Sequence, residues 1–167
     1  MKIISTTTYK DFNRPDIRLL SKDMFLPQPA VLVPGKDEDK ALEILESALG
    51  FDTSKRTIVI KTPIEKVLIK ADNLRHVVEK RDHARERYAN YIISTLMYPF
   101  EIYLTEYEIG FRNQYIGLFK GKNSVLTVVK VKPDGSLFWN AMNCNTKKMN
   151  SHRVGKLIYD NKKCPPA

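Results

Sequence analysis

At 167 residues, with 43% hydrophobic and 10% aromatic content, the chain has enough to bury for one domain of ordinary size plus an appended segment, which excludes a disordered polymer. Its net charge of +9 and pI near 9.5 fit a polyanionic partner, nucleic acid or an acidic protein, unless the charge serves solubility alone. Only two cysteines, Cys144 and Cys164, with no CxxC or Cys/His spacing, exclude a disulfide framework and a structural zinc, so reduced thiols, no metal and no cofactor are expected.

Residues 1–35 hold Pro15, Pro27, Pro29 and Pro34 with little periodicity and read as an extended arm or linker. The start lacks the long apolar core of a signal peptide, and no run suggests a membrane span, so a protein without membrane contact is expected, either soluble or exported by a route that leaves no such signal. In residues 36–53 an acidic cluster precedes Ala41, Leu42, Ile44, Leu45, Ala48 and Leu49, which predicts an amphipathic helix stopped by Gly50. Ile58–Ile60 and Val67–Ile69 predict a short hairpin turning at Thr62-Pro63.

Asp72 is the expected cap of a helix over "DNLRHVVEKR", with His76 and Lys80 off its apolar stripe; a second helix is expected from Asp82 to Tyr98-Pro99. From Phe100 the period changes to two. "FEIYLTEY", "GFRNQYIGLFK", "SVLTVVKVK" and "SLFWNAMN", separated by Gly110, Gly121-Lys122-Asn123 and Pro133-Asp134-Gly135, predict a four-stranded antiparallel meander. "CNTKKMNSHR" reads as a basic loop before a closing strand at Lys156–Tyr159, and residues 120–167 hold ten basic and two acidic side chains. The fold class is therefore α+β, with N-terminal helices packed on a four-stranded antiparallel sheet and a Pro-rich arm in front.

No phosphate loop, GxSxG, HExxH or telling carboxylate pair occurs. The remaining His, Lys, Arg, Tyr and Asn inventory suits metal-free RNA cleavage, in which a base takes the 2′-hydroxyl proton, a cation stabilises the phosphorane and an acid protonates the 5′-oxygen. His76, on a polar helix face with Lys80 a turn away, is the first acid/base choice; His83 and His152 rank behind it. Arg81, Arg85 and Arg87 are either phosphate ligands or a solvated face paired with Glu79 and Glu86. Period two puts Asn140 among apolar neighbours, as a structural hydrogen bond or a substrate contact, while Trp139 or Tyr115 could stack a base. Lys147, Lys148 and Arg153 are expected to contact a nucleic-acid backbone.

The run from "VLIKADNLRHVVEKRDHARERYANYI" through "PFEIYLTEY" to "DGSLFWNAMN" resembles the phage-associated branch of the barnase, EndoU, colicin E5/D and RelE-like nucleases, found at the C-termini of Mu-type phage head proteins and in polymorphic toxins. The likeness covers roughly residues 54 to 159 and assigns 54–167 to a nuclease-like domain. It implies helices on one face of the sheet with the other face holding RNA, and a metal-independent endoribonuclease. The site would join His76 to Asn140 and to Arg85 or Lys80. Arg81, Tyr115, Trp139, Lys147, Lys148 and Arg153 would bind the substrate, RNA with tRNA included. Further partners would be an acidic immunity protein or phage head proteins. The rival reading is a non-catalytic head or assembly domain that binds nucleic acid or protein through its basic face.

Overall fold

The computed structural model describes residues 2–121, 124–132 and 135–161; the expected turn residues Lys122, Asn123, Pro133 and Asp134, and Cys164, lie outside them. Asp37 starts helix α1, Glu38–Leu49, by accepting the Lys40 N–H at 2.8 Å, and Gly50 ends it at φ 88°, where a side chain would be strained. Ala41, Leu45 and Leu49 form its buried stripe. Strands β1, Thr57–Lys61, and β2, Lys66–Lys70, pair antiparallel as the predicted hairpin.

The two predicted helices that follow are shorter and more broken than their periodicity suggests. A 3-10 turn at Ala71–Asn73 leads into the single-turn helix α2, Arg75–Val78, whose start has no side-chain cap; Asp72 instead meets Arg56 Nη2 at 3.4 Å. Ala84 then takes a left-handed φ of 43°, which breaks the expected second helix into a 3-10 turn at Arg85–Tyr88 and α3, Ala89–Met97. Gly117 lets α3 lie against the sheet, since a Cβ there would meet the Thr95 hydroxyl at 2.2 Å.

The expected meander is present as β3, Glu101–Tyr107; β4, Gly110–Leu118; β5, Ser124–Lys132; and β6, Gly135–Cys144. The sheet, however, has seven strands in the order β1-β2-β6-β5-β4-β3-β7, where β7 is Lys156–Asp160. A four-strand meander would leave both outer strands unpaired, and here β2 and β7 cover those edges. The residues expected to be a basic loop form helix α4, Thr146–Ser151, capped by the Asn145 carboxamide on the Lys148 N–H at 2.8 Å.

Both sheet faces carry apolar layers. On one face α1, α2 and α3 pack over Ile69, Ile102, Tyr115, Phe138 and Ala141. On the other, Tyr9 and Ile17 from the N-terminal segment and Met149 of α4 cover Phe100, Tyr103, Ile116 and Leu118. The face that the resemblance leaves open for RNA is thus partly occupied by this chain's own N-terminal residues. Leu26 bonds both ways across Phe119, donating to the Leu118 carbonyl at 2.9 Å and accepting from the Lys120 N–H at 2.8 Å.

A buried ion cluster fixes that cover. Glu101, with no exposed surface, accepts from Arg14 Nε at 2.6 Å and from Arg153 Nε and Nη2 at 2.6 and 2.8 Å. Arg153 Nη1 also donates to the Pro15 carbonyl at 2.8 Å and to Asn150 Oδ1 at 2.9 Å. The charges are affordable in the interior only because each is paired and hydrogen-bonded. Replacing Glu101 by Gln leaves two buried guanidinium groups against a neutral amide, so a loss of about 3–5 kcal/mol is expected. Urea unfolding of the two proteins measures it, and a loss below ~1 kcal/mol would show that the cluster does not hold the cover.

Candidate nucleic-acid-cleaving site

Strand β6 organises the site because its outer edge is only briefly paired. β2 runs parallel to it for two partners, Val67 to Ser136 and Leu68 to Leu137, and beyond them α2 and the 85–88 turn take the place of a strand. At that point β6 carries a bulge: Val129 faces Phe138 and Val128 faces Asn140, so Trp139 has no partner opposite it. Strict alternation is lost there, which accounts for Phe138 and Ala141, three residues apart, lying in the same apolar layer.

The free edge is read by side chains. His76 Nε2–H donates to the Trp139 carbonyl, and its ring lies 4.3 Å from the indole, centroid to centroid, tilted by 30°. A carbonyl can only accept, so Nε2 holds the proton and Nδ1 is the nitrogen able to take one. One residue on, Arg85 Nη1 donates to Asn140 Oδ1 at 3.0 Å, and the same oxygen accepts the Ala141 N–H at 2.8 Å. Both bonds use the Asn140 carbonyl oxygen, so its NH₂ group is what it can offer a ligand. Burial pulls the Arg85 pKa down and Asp82 partly opposes this, without removing the charge.

Farther along the same edge lies a cleft of about 470 Å³, lined on one wall by His83, Arg85 and Arg87 and on the other by Asn143, Asn145 and Lys148. The wall holding His83 is set by the left-handed Ala84 and stapled by Arg87, which donates to the Ala84 and His83 carbonyls, each at 3.0 Å. Arg87 is therefore spent largely on its own backbone.

The structure brings His76, Trp139, Arg85 and Asn140 to one strand edge and sets Lys148 on the adjoining cleft. Lys80 and Lys147 are exposed away from those contacts. Three expected ligands are placed otherwise. Arg153 is wholly buried in the Glu101 cluster and cannot reach a nucleic-acid backbone. Tyr115 is wholly buried too; its hydroxyl donates to Glu65 at 2.5 Å and shares a bond with the Thr62 hydroxyl at 3.0 Å, so no base can stack on it. Burial and Glu65 push its phenol far above the usual range. Arg81 is committed to the buried Glu86 at 2.5 Å and to the Gly35 carbonyl at 3.2 Å, a link from the helical layer to the N-terminal segment.

Trp139 is already flanked, by His76 and by Lys130, whose Nζ sits 3.0 Å from the ring centroid. Groups that close cannot share one face of an indole, so the ring is sandwiched between them rather than free to stack a base. Lys130 was not among the sequence-derived residues: its nearness to Trp139 follows from the pairing of Lys130 with Leu137 across β5 and β6, which no local pattern in the sequence fixes. His83 lines the cleft, whereas His152 lies by α4 with its Nε2 buried and unbonded among the described residues. No three His, Cys, Asp or Glu side chains among the described residues gather where they could hold a metal ion. No helix among them is long and apolar enough to cross a membrane.

Residues 45–160 match a family model described as phage-Barnase-EndoU-ColicinE5/D-RelE like nuclease2. No curated protein and no solved structure matches the chain.

Burial, and to a smaller degree Lys148, lowers the His152 pKa. The unfolded chain then binds a proton more readily than the folded one as pH falls through about 6.5, so stability is lost on going from about pH 7 to 5. Urea midpoints at those two values are expected to differ less in His152→Gln than in wild type; equal differences would remove His152 as a source of the loss.

Proposed function

The chain belongs to this phage-associated nuclease-like family, and from that premise we propose that it is a metal-independent endoribonuclease whose cleavage site is the free edge of β6. The observation that carries the reading is His76 held through Nε2–H on the Trp139 carbonyl, one residue from the Arg85–Asn140 pair. A histidine pinned at one nitrogen keeps the other in a fixed direction, which is what general-base catalysis needs.

In this mechanism His76 Nδ1 takes the proton of a ribose 2′-hydroxyl, and the 2′-oxygen attacks the adjacent phosphorus. Arg85 neutralises the charge that builds on the phosphoryl oxygens, and the Asn140 NH₂ donates to one of them. The bond to the 5′-oxygen breaks, leaving a 2′,3′-cyclic phosphate and a 5′-hydroxyl. In-line displacement puts the leaving oxygen opposite the attacking one, and His83 in the adjoining cleft is the titratable side chain suited to protonate it. Lys148 on the cleft and the exposed Lys80 and Lys147 add backbone attraction. Metal independence is supported by the cations Arg85 and Lys148, which repel a bound metal ion, and by Asn140, whose carbonyl oxygen already accepts from Arg85 and the Ala141 N–H. RNA is favoured over DNA because the scheme needs a 2′-hydroxyl as nucleophile.

The test is digestion of total bacterial RNA in EDTA. Wild type is expected to give discrete fragments ending in cyclic phosphate, and His76→Ala to lose about 10²–10⁴-fold in rate. His76→Gln keeps an N–H donor at about the reach of Nε2 for the Trp139 carbonyl without a titratable nitrogen, so it should be as inactive while remaining folded. If wild type leaves RNA intact yet binds it in a salt-dependent way, the assembly-domain reading replaces this one.

A further inference from the structure

Residues 27–35 form neither helix nor strand, and they lie ahead of the region that the family model matches, residues 45–160. The polar groups of residues 30–35 turn to the stretch 81–90, which leads from α2 into α3. The Leu32 N–H donates to the Arg87 carbonyl at 2.9 Å, and the Asn90 carboxamide donates to the Ala30 carbonyl at 3.1 Å. Gly35 bonds both ways: its N–H donates to Glu86 Oε2 at 2.9 Å, and its carbonyl accepts from Arg81 Nη2 at 3.2 Å. Arg81 in turn holds both Glu86 oxygens, at 3.0 and 2.5 Å. Glu86 has no exposed surface, so its charge is tolerated only with these partners. Burial raises its pKa, and the bonds from Arg81 and the Gly35 N–H outweigh that, so the carboxylate stays charged.

The stretch so held is one wall of the candidate site. It carries Arg85, bonded to Asn140 on β6, and His83, on the adjoining cleft. Between them Ala84 sits at φ 43° and ψ 54°, a left-handed conformation that crowds its Cβ and persists only where the surroundings over-determine it. Arg87 supplies part of that restraint through the Ala84 and His83 carbonyls, and Asn140 supplies another tie through Arg85. Residues 30–35 fasten the wall on both sides of Ala84, at Arg81 before it and at Glu86 and Arg87 after it. Gly35 comes close enough because it has no side chain: a Cβ there would lie 2.5 Å from the Ala41 nitrogen of α1.

We infer that residues 30–35 are a positioning strap, fastened at Gly35 and Glu86, that holds Arg85 and His83 in their working arrangement through the strained turn at Ala84. Gly35 and Glu86 are positioning residues: they act through the loop and touch no substrate. Displacing residues 30–35 slackens the site while every side chain proposed to meet the substrate is still present. The effect on cleavage rests on the nuclease reading, whereas the hold on the loop does not.

Two measurements on the full chain test the strap. Hydrogen–deuterium exchange at residues 82–88 follows the loop whether or not RNA is cut, and kcat and KM for RNA cleavage follow the site. Gly35→Ala pushes the strap off α1 and leaves every side chain of the loop in place. It is expected to speed exchange at 82–88 at least about tenfold while β3 and β4 keep wild-type protection. It should lower kcat by about 10–10²-fold through misplacement of Arg85, with KM within about twofold, because the cations that attract RNA are all retained. Leu32→Pro removes the N–H given to Arg87 and should act in the same direction. Adding Ala84→Gly to Gly35→Ala lets the turn be left-handed without strain, so part of the lost kcat should return. Wild-type exchange at 82–88 in both strap variants overturns the inference. So does exchange that rises equally in every strand, which marks a segment that only stabilises the fold. An unchanged kcat with a loosened loop, or a loss that Ala84→Gly leaves unrelieved, overturns it as well. If wild type cleaves no RNA while the loop still loosens in the variants, the nuclease reading fails and the hold of the strap on the loop stands.

Discussion

The departure of β2 from β6 after Leu137 is the constraint on which the rest of the site depends. A strand edge inside a folded protein leaves carbonyls and N–H groups that must be satisfied, and here side chains of the helical layer supply the partners. His76 bonds the Trp139 carbonyl because no strand does, and Arg85 reaches Asn140 at the next position. The bulge at Trp139 adds local twist, and the indole lies against Lys130 of the neighbouring strand. A backbone irregularity thus gathers a titratable ring, a guanidinium, an amide and an ammonium within a few residues of one strand.

The second organising element is Glu101. By holding Arg14 and Arg153 together it ties the N-terminal segment to β3 and to the end of α4, and so covers the apolar side chains of β3 and β4 on the face away from the helices. Without that cover Phe100, Tyr103, Ile116 and Leu118 would form an exposed apolar patch. With it, the face is divided: a sealed apolar part under residues 9–25 and an open cationic part over the remaining strands.

Periodicity revealed most of the elements. The α1 stripe, the hairpin, all four meander strands and β7 follow from apolar spacing and turn residues, because burial of one face leaves its period in the sequence. What stayed hidden depends on pairings across long sequence distance. Nothing local distinguishes Arg153 from a solvated arginine; only its arrival beside Glu101, 52 residues away, makes it a core residue. Tyr115 follows the same logic, since its strand is buried on both faces and alternation gives no sign of which side is wet. The helix break at Ala84 adopts a conformation for which the sequence offers no glycine, and α4 has a single buried residue, Met149, too few for a stripe. Of the site, His76, Arg85, Asn140 and Trp139 were legible as residue types, while the β5–β6 register that sets Lys130 beside Trp139 was not.

The distribution of ion pairs shows where the excess positive charge is available. On the helical side four cations are matched by carboxylates: Arg75 with Glu38 and Asp39, Arg56 with Glu46 and Asp72, Arg81 with Glu86, and Lys40 with Glu43. Among the described residues the cations of β1, β2, β4 and β5, strands without Asp or Glu, have no such carboxylate partners, so their charge is concentrated on the face they share. A field concentrated in this way draws a polyanion toward that face and loses strength as salt rises, which even coverage by solubilising charge would do far less. The edge for which cleavage is proposed then has to supply the contacts that position one phosphate rather than all of the attraction for a polyanion.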